Sequence, residues 1–286
     1  MEWVESVAGS AVSGSERLQG GWTSEMRRIR LADGRSVVLR SFVSEFFRRH
    51  ADGLLSREAA VLRLLEPTGI AAATLLGVDP EGRHCEHPSL LMTLLPGRVD
   101  LEADRSAELA EQLAAIHRVS VGAADQPRTY QAWTTPDGVR VPEVTDRRSV
   151  WESAVSALRR EVPEYEPVFL HRDFHPGNVL FDGARISGVV DWVETSWGPA
   201  DLDVAHCSTA LALLHGAETG LRFADLYEQA SGRALSPDRQ YWLLLDALAY
   251  APDAQKVAEP WRELGRTDLT PHLLQTRLED YLEAVC

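Results

Sequence analysis

Apolar and polar positions change period along the chain, and the changes mark out its elements. Between residues 18 and 43, LQGGWTSEMRRIRL and RSVVLRSF read as two strand-like runs flanking Asp33-Gly34, a pair that favours a tight hairpin turn. In SREAAVLRLLE, residues 56 to 66, Ala60, Val61, Leu64 and Leu65 recur at helical spacing behind a capping Ser56 and ahead of Pro67, which predicts a helix. TLLGVD and PSLLMTLLPG are short apolar runs bounded by turn residues, so the first hundred residues read as sheet with one helix. From Ser106 the period becomes helical in SAELAEQLAAIHRVS, and it is helical again over 202–283 in YWLLLDALAY and HLLQTRLEDYLEAV. VFL, NVLF and ISGVVDW lie between these blocks as short strands, and 121–147, rich in Pro, Gly and Asp, reads as a loop. No internal repeat is visible. The pattern predicts an α+β chain with a small, mostly-β front over 1–96 and a larger, mostly-α rear over 97–286, joined near Pro96-Gly97.

Chemistry concentrates in HRDFHPGN, residues 171 to 178. His171, Asp173 and His175 are all plausible metal ligands, and a helix would bring the two histidines onto one face. Pro176 lacks an N–H and disfavours helical backbone at His175, so that helix is not expected. What remains is a loop that leaves a strand at Leu170, turns at Pro176-Gly177 and enters a strand at Val179. Asp182-Gly183 is a second hairpin signal, and its return strand ends in VVDW at Asp191. A tight turn sets Asn178 opposite about residue 187, so Asp191 overshoots it by about 13 Å of extended strand. With a bend after the strand, an amide oxygen and a carboxylate would converge beside Asp173, a set suited to Mg²⁺ rather than zinc.

The spelling H-R-D-x-x-x-x-N is that of a kinase catalytic loop. HRDFHPGNVLF, followed by VVDW and WGPADLDVAH, resembles the aminoglycoside phosphotransferase family, most strongly over 168–207 and more loosely from about residue 18 to the C-terminus. The resemblance implies a bilobal, protein-kinase-like fold that transfers the γ-phosphate of ATP or GTP to a hydroxyl of a small molecule. Residues 1–96 would hold the nucleotide and 97–286 would supply the catalytic and acceptor sites. Asp173 would accept or orient the hydroxyl proton, Asn178 and Asp191 would hold Mg²⁺, His171 would support the loop and Asp203 would brace it. In the front lobe, VVLR puts Arg40 where kinases place a phosphate-contacting lysine, with Glu58 as its ion-pair partner. Ser24, at the end of GGWTS, would help cover the phosphates, and backbone from Thr93 to Leu95 would meet the adenine edge. The chain departs from the pattern at Arg40, because a fork is not a point charge. Lys256, in the helical rear, is the only lysine among 29 Lys and Arg residues. The glycine of D-F-G is also absent, since Trp192-Val193 follows Asp191, which suits the small-molecule branch.

Charge and composition narrow the partners. A net charge of -14 disfavours nucleic acid, whose phosphates are held by clustered basic residues, and would suit a cationic acceptor. Glu194 and Asp201, near the loop, are read either as receivers of ammonium groups of such an acceptor or as solvated surface carboxylates. No apolar run of about 18 residues predicts a membrane span. The start MEWVESVAGS lacks the positive and apolar regions of a secretion signal, so a cytoplasmic enzyme is expected. Cys85, Cys207 and Cys286 are scattered and suggest neither disulfides nor a cysteine zinc site. An aminoglycoside or other antibiotic, modified as a means of resistance, is the leading acceptor. A kinase of an amino alcohol or sugar, and a catalytically silent nucleotide-binding protein prompted by Arg40, remain open alternatives. Oligomeric state is not addressed by these features.

Overall fold

The computed structural model describes residues 1–18 and 24–286. By contacts the chain divides into two compact units, Met1–Arg98 with Leu180–Val193, and Val99–Val179 with Glu194–Cys286. The sequence reading cut the chain once, near residue 96, whereas the contact division groups the Leu180–Val193 segment with the front residues.

The first unit runs through α1 (Glu2–Ala8), β1 (Val12–Arg17), β2 (Glu25–Leu31), β3 (Ser36–Ser41), α2 (Glu45–Arg48), α3 (Ala51–Leu65), β4 (Leu75–Asp79) and β5 (Ser89–Thr93), and ends at the start of β6 (Arg98–Val99). Its sheet is antiparallel, in the order β1-β2-β3-β5-β4. The β2–β3 hairpin pairs Glu25 with Ser41 and Arg30 with Ser36 and turns through Asp33-Gly34, where Gly34 has a φ of 89° that costs glycine little. The front holds more helix than the sequence pattern predicts. α1 is short, yet Val4 and Ala8 bury themselves against Ile29, Leu31, Val37, Leu39 and Leu91. α3 begins at Ala51 rather than Ser56, with His50 at the N-cap position, and the Ser56 hydroxyl donates to Asp52 inside the helix. The apolar stripe explains the earlier start, because Ala51 and Leu55 continue the buried face of Ala59, Leu62 and Leu65.

The second unit contains α4 (Ser106–His117), α5 (Arg148–Leu158) and β7 (Pro167–Leu170). The chain then returns to the first unit as the hairpin β8 (Val179–Asp182) and β9 (Arg185–Val189), turning at Gly183 with φ 62°. Gly97, with φ 90°, must lack a side chain, since a Cβ would sit 2.6 Å from the Phe181 carbonyl oxygen. β10 (Ser196–Pro199) re-enters the second unit and pairs antiparallel with β7, Ser196 opposite Leu170. α6 (Ala200–His215), α7 (Ala217–Ser231), α8 (Arg239–Ala247), α9 (Gln255–Glu263) and α10 (Pro271–Val285) follow. In α6 every residue from Ala200 to Leu214 is buried, as expected of a helix wrapped on all sides by α7, α8, α4 and α10. The 121–147 stretch has no helix, and its Thr129 bridges to Trp197. No helix among the described residues is long and apolar enough to cross a membrane.

Candidate active site

The loop after β7 is held from α6. Asp203 accepts two successive backbone N–H groups, His171 N–H on Oδ2 and Arg172 N–H on Oδ1, both at 2.8 Å. His117 Nε2 lies 3.2 Å from Asp203 Oδ2, and His117 Nδ1 lies 2.7 Å from the Tyr227 hydroxyl. Burial alone would raise the Asp203 carboxyl, but the His117 hydrogen bond and the charges of His117, His171 and Arg172 outweigh it and hold it low. His117 is therefore part of the brace. Under that grip Arg172 adopts a φ of 76°, rare for a side-chain-bearing residue. His171 Nδ1 accepts from Asp173 N–H at 3.2 Å. His175 is extended, as its proline neighbour requires, and Pro176–Asn178 makes a single 3₁₀ turn that begins Asn178 at the mouth of β8.

This geometry fixes the Asp173 carboxylate from two sides. Asn178 Nδ2 donates to Asp173 Oδ2 at 3.0 Å and to its carbonyl oxygen at 2.9 Å, which turns Asn178 Oδ1 the other way. His206 Nε2 lies 3.1 Å from Asp173 Oδ1, and His206 Nδ1 lies 3.0 Å from Asp246 Oδ1. The Asp173 side chain is 30% exposed while His206 is 6% and Asp246 1% exposed, so the acid at the end of the chain of contacts faces outward. Burial acts to raise the Asp173 pKa, but the His206 hydrogen bond and the surrounding imidazoles of His175, His206 and His171 win, and the group is held far below the usual carboxylate range. For His206 burial acts to lower the value, and the Asp246 charge and the Asp173 hydrogen bond raise it to about 10. Tyr250 stacks on the imidazole and the Trp133 edge meets it, with ring centroids 6.3 Å and 5.0 Å away.

Neither His206 nor Asp246 is among the residues expected from the sequence, although both leave a signal there. His206 stands three positions after Asp203 on one helix and so shares its face, and Asp246 is the lone acid in YWLLLDALAY, where a buried charge needs a partner.

Among the described residues, the ligand atoms of Asp173, His175 and His206 lie within 4.8 Å of one another. The hydrogen bonds do not suit a nitrogen-bound transition metal there. His175 Nδ1 accepts the Gly177 N–H at 3.0 Å, so the neutral ring carries its proton on Nε2, the nitrogen that faces Asp173. Oxygen donors suit a hard divalent cation better.

In the first unit, Arg40 on β3 is the hub. Its Nη1 donates to Glu58 Oε1 on α3 at 2.8 Å and to Asp191 Oδ1 at 3.1 Å, and its Nε donates to Ser24 Oγ at 3.0 Å. Arg40 and Glu58 are both buried. Burial works against the Arg40 charge, yet Asp191 and Glu58 raise its pKa above an already high value. Glu58 is pushed up by burial first and by Asp191 as well, against the pull of Arg40. Asp191 lies beyond the end of β9 with a φ of 65°, so the backbone bends there, and Trp192 Nε1 donates to the Val189 carbonyl at 2.9 Å. Ser24, expected to face phosphates, is taken by Arg40. Gly20 to Thr23, the rest of the expected phosphate cover, lie outside the described residues. Thr93 ends β5 with its hydroxyl accepting from Thr74 N–H at 2.9 Å, and the Leu95 side chain fills the space over Gly188, where a Cβ would meet Leu95 Cδ1 at 2.8 Å.

The two carboxylates expected to receive ammonium groups already have partners. Glu194 pairs with Arg128 at 2.5 Å, and Asp201 is buried and accepts from Ser236 N–H at 3.0 Å.

Comparisons with known proteins follow the same lines. No curated protein gives a significant sequence match. The solved structures give fold-level likeness. APH(4)-Ia, an aminoglycoside phosphotransferase in a thermostable variant solved with ADP and hygromycin B, superposes with a TM-score of 0.65 at 18% identity, covering 99% of this chain and 97% of that one. Macrolide 2'-phosphotransferase MphH from Brachybacterium faecium gives 0.57 at 20%, covering 94% and 97%. Amicoumacin kinase hAmiN, solved with AMP-PNP, Ca²⁺ and its antibiotic, gives 0.60 at 12%, covering 99% and 92%. The model for the phosphotransferase enzyme family matches residues 15–245, a span that contains both the Arg40 hub and the braced Asp173 loop, and the chain belongs to that family.

Proposed function

We propose that this small-molecule phosphotransferase moves the γ-phosphate of ATP, with Mg²⁺, to a hydroxyl of an antibiotic in the cytoplasm, and that Asp173 faces the acceptor hydroxyl. The observation that carries the reading is the Asp173 carboxylate, ionised, partly exposed and held at both oxygens by Asn178 and His206. Such a weak base suits phosphoryl transfer. The reaction needs the hydroxyl aligned, and a proton acceptor only once the new bond is forming, because its transition state is loose. Asp173 aligns the O–H. As the hydroxyl oxygen bonds to the γ-phosphorus and the bond from that phosphorus to the bridging oxygen breaks, the hydroxyl proton passes to Asp173, and ADP leaves with the bridging oxygen. A divalent cation, when bound, offsets charge on the phosphates. Asn178 Oδ1 and the Asp191 carboxylate are proposed as its oxygen donors, and Arg40, fixed by Glu58, as a phosphate contact. ATP is favoured because two of the related structures hold ADP or AMP-PNP. An antibiotic acceptor is favoured because related proteins of this fold include phosphotransferases for hygromycin B, macrolides and amicoumacin.

A screen with radiolabelled ATP against aminoglycosides, macrolides and hydroxyl-bearing metabolites, paired with growth inhibition of a susceptible host, tests the acceptor. Label transferred only to an amino alcohol or a sugar would replace the antibiotic reading. Asp173→Ala is expected to fold and to lose turnover by about a thousandfold, within the range of a lost proton acceptor. Transfer at the wild-type rate by that variant would refute the assignment.

A further inference from the structure

His206 and Asp246 carry a charge arrangement that packing alone does not require. α6 is buried along its length, and the space around position 206 is lined by Tyr250 and Trp133, which an apolar side chain would fill without desolvating any charge. The chain instead places an imidazole between two carboxylates. Each ring nitrogen faces an acceptor, Asp246 Oδ1 at 3.0 Å and Asp173 Oδ1 at 3.1 Å, and only the doubly protonated ring donates to both. Among the described residues the Asp246 side chain has no other hydrogen-bond partner, since its Oδ2 is buried without one. A buried carboxylate with a single partner is costly, and its one contact sets the plane and charge of His206.

We infer that His206, anchored by Asp246, is the positioning residue that fixes the Asp173 carboxylate for an incoming hydroxyl, an inference that rests on the reading of Asp173 given above. The two hydrogen bonds act on different oxygens. Asn178 holds Asp173 Oδ2 from within the loop, and a single anchor leaves the carboxylate free to rotate about its Cβ–Cγ bond. His206 adds a second anchor on Oδ1 from a helix with no exposed turn before His215, so the plane of the carboxylate is set by the helical core rather than by its own loop. The charged and titratable groups that face this assembly include His171, Asp173 and His175 from the loop, Asp246 from α8 and Tyr250 from the turn after it, with Arg172 stacked 3.9 Å from the Trp133 ring centroid.

The test separates positioning from folding. Transfer is measured from [γ-³²P]ATP to the acceptor identified by the screen, or to water where none is taken, with thermal melts as the check on folding. His206→Phe fills the site and removes both donors. Its kcat is expected to fall about a hundredfold, the loss that follows a misplacement of about 1 Å, while KM for Mg-ATP stays within about twofold. His206→Gln, which returns one N–H toward Asp173, is expected to recover about tenfold of that loss, in line with one restored hydrogen bond. Asp246→Asn keeps an oxygen opposite His206 Nδ1 and removes its charge, and it is expected to cost about tenfold in kcat. This isosteric variant also keeps the test available if His206→Phe does not fold. A folded His206→Phe with kcat within about twofold of wild type would overturn the inference. Equal losses in the Phe and Gln variants with KM rising alongside would assign a purely structural role and overturn it too. Asp173→Ala is assayed in parallel. If it retains transfer, the reading of Asp173 fails, whereas a dead Asp173→Ala beside a wild-type-like His206→Phe removes only the positioning role.

Discussion

Two residues other than glycine have left-handed backbone among the described residues, Arg172 and Asp191, and each adjoins or is a side chain proposed to act. Strain of this kind, worth on the order of 1–3 kcal/mol, persists only where the surroundings over-determine it. At Arg172 the surroundings are Asp203 and its two N–H bonds, and at Asp191 the ion pair with Arg40. The Arg40 hub yields a direct prediction. Arg40→Met leaves Glu58 buried beside Asp191 with no compensating cation, and denaturant melts should show a loss of about 3–5 kcal/mol. Arg40→Lys keeps the charge but cannot reach Ser24, Glu58 and Asp191 together, so calorimetry should find weaker Mg-ATP binding in a protein that still folds. At this scale the sequence singled out Asp173, Asn178, Asp191, Arg40 and Glu58 because their types and spacings carry chemistry. His206 and Asp246 were not singled out, because the signal each leaves, a histidine in one helix and a lone aspartate in another, acquires meaning only when those helices pack.

Hydrophobic period located most of the elements and missed several of their ends. α4 and the β2–β3 hairpin follow the pattern, while α1, β1 and α5 do not announce themselves, being short or half-exposed and defined by what they pack against. α5 is held by Trp151, whose indole N–H donates to Glu279 on α10 at 3.0 Å, a long-range contact that no window of local sequence contains. The α6–α7 crossing is the tightest of the helical contacts that involve a glycine. A Cβ on Gly220 would sit 2.5 Å from the Ser208 carbonyl oxygen and 2.7 Å from Ala212 Cβ. Gly220→Ala is therefore expected to destabilise by about 1–3 kcal/mol, as overpacking does. Gly53→Ala, on the exposed face of α3 with only the tip of Arg57 within 3.4 Å, is expected to stabilise by about 0.5–1 kcal/mol. Melts of both variants against wild type check the pair, and a loss at Gly53 would argue against α3 as placed.

Stability as a whole should carry the signature of the buried imidazole. The folded pKa of His206, about 10, stands above the ordinary histidine value of 6.5. Its contribution is thus fully present below pH of about 6.5 and is lost as pH rises through about 10. Asp173 acts in the opposite sense: its lowered value contributes above the ordinary carboxylate range and is lost in strong acid. Thermal melts should therefore show wild-type stability declining between about pH 6.5 and 10 more steeply than that of His206→Gln, which has no such proton to lose. Parallel slopes would remove the imidazolium assignment.

By itself the sequence determined the α+β class, the order of a sheet-rich front and a helical rear, the loop from His171 to Asn178 and the chemistry its residue types permit. These are local matters, set by period, by turn residues and by the backbone limits of proline and glycine. Only the tertiary structure decided that Leu180–Val193 clusters with the front residues, that Arg40 gathers Ser24, Glu58 and Asp191, and that Asp173 is held from α6 and α8. It also decided that Glu194 pairs with Arg128 and that Asp201 accepts from Ser236 N–H. For the charged contacts the physical reason is shared: a charged group takes whatever partner packing brings within about 3 Å, and that partner is not a neighbour along the chain.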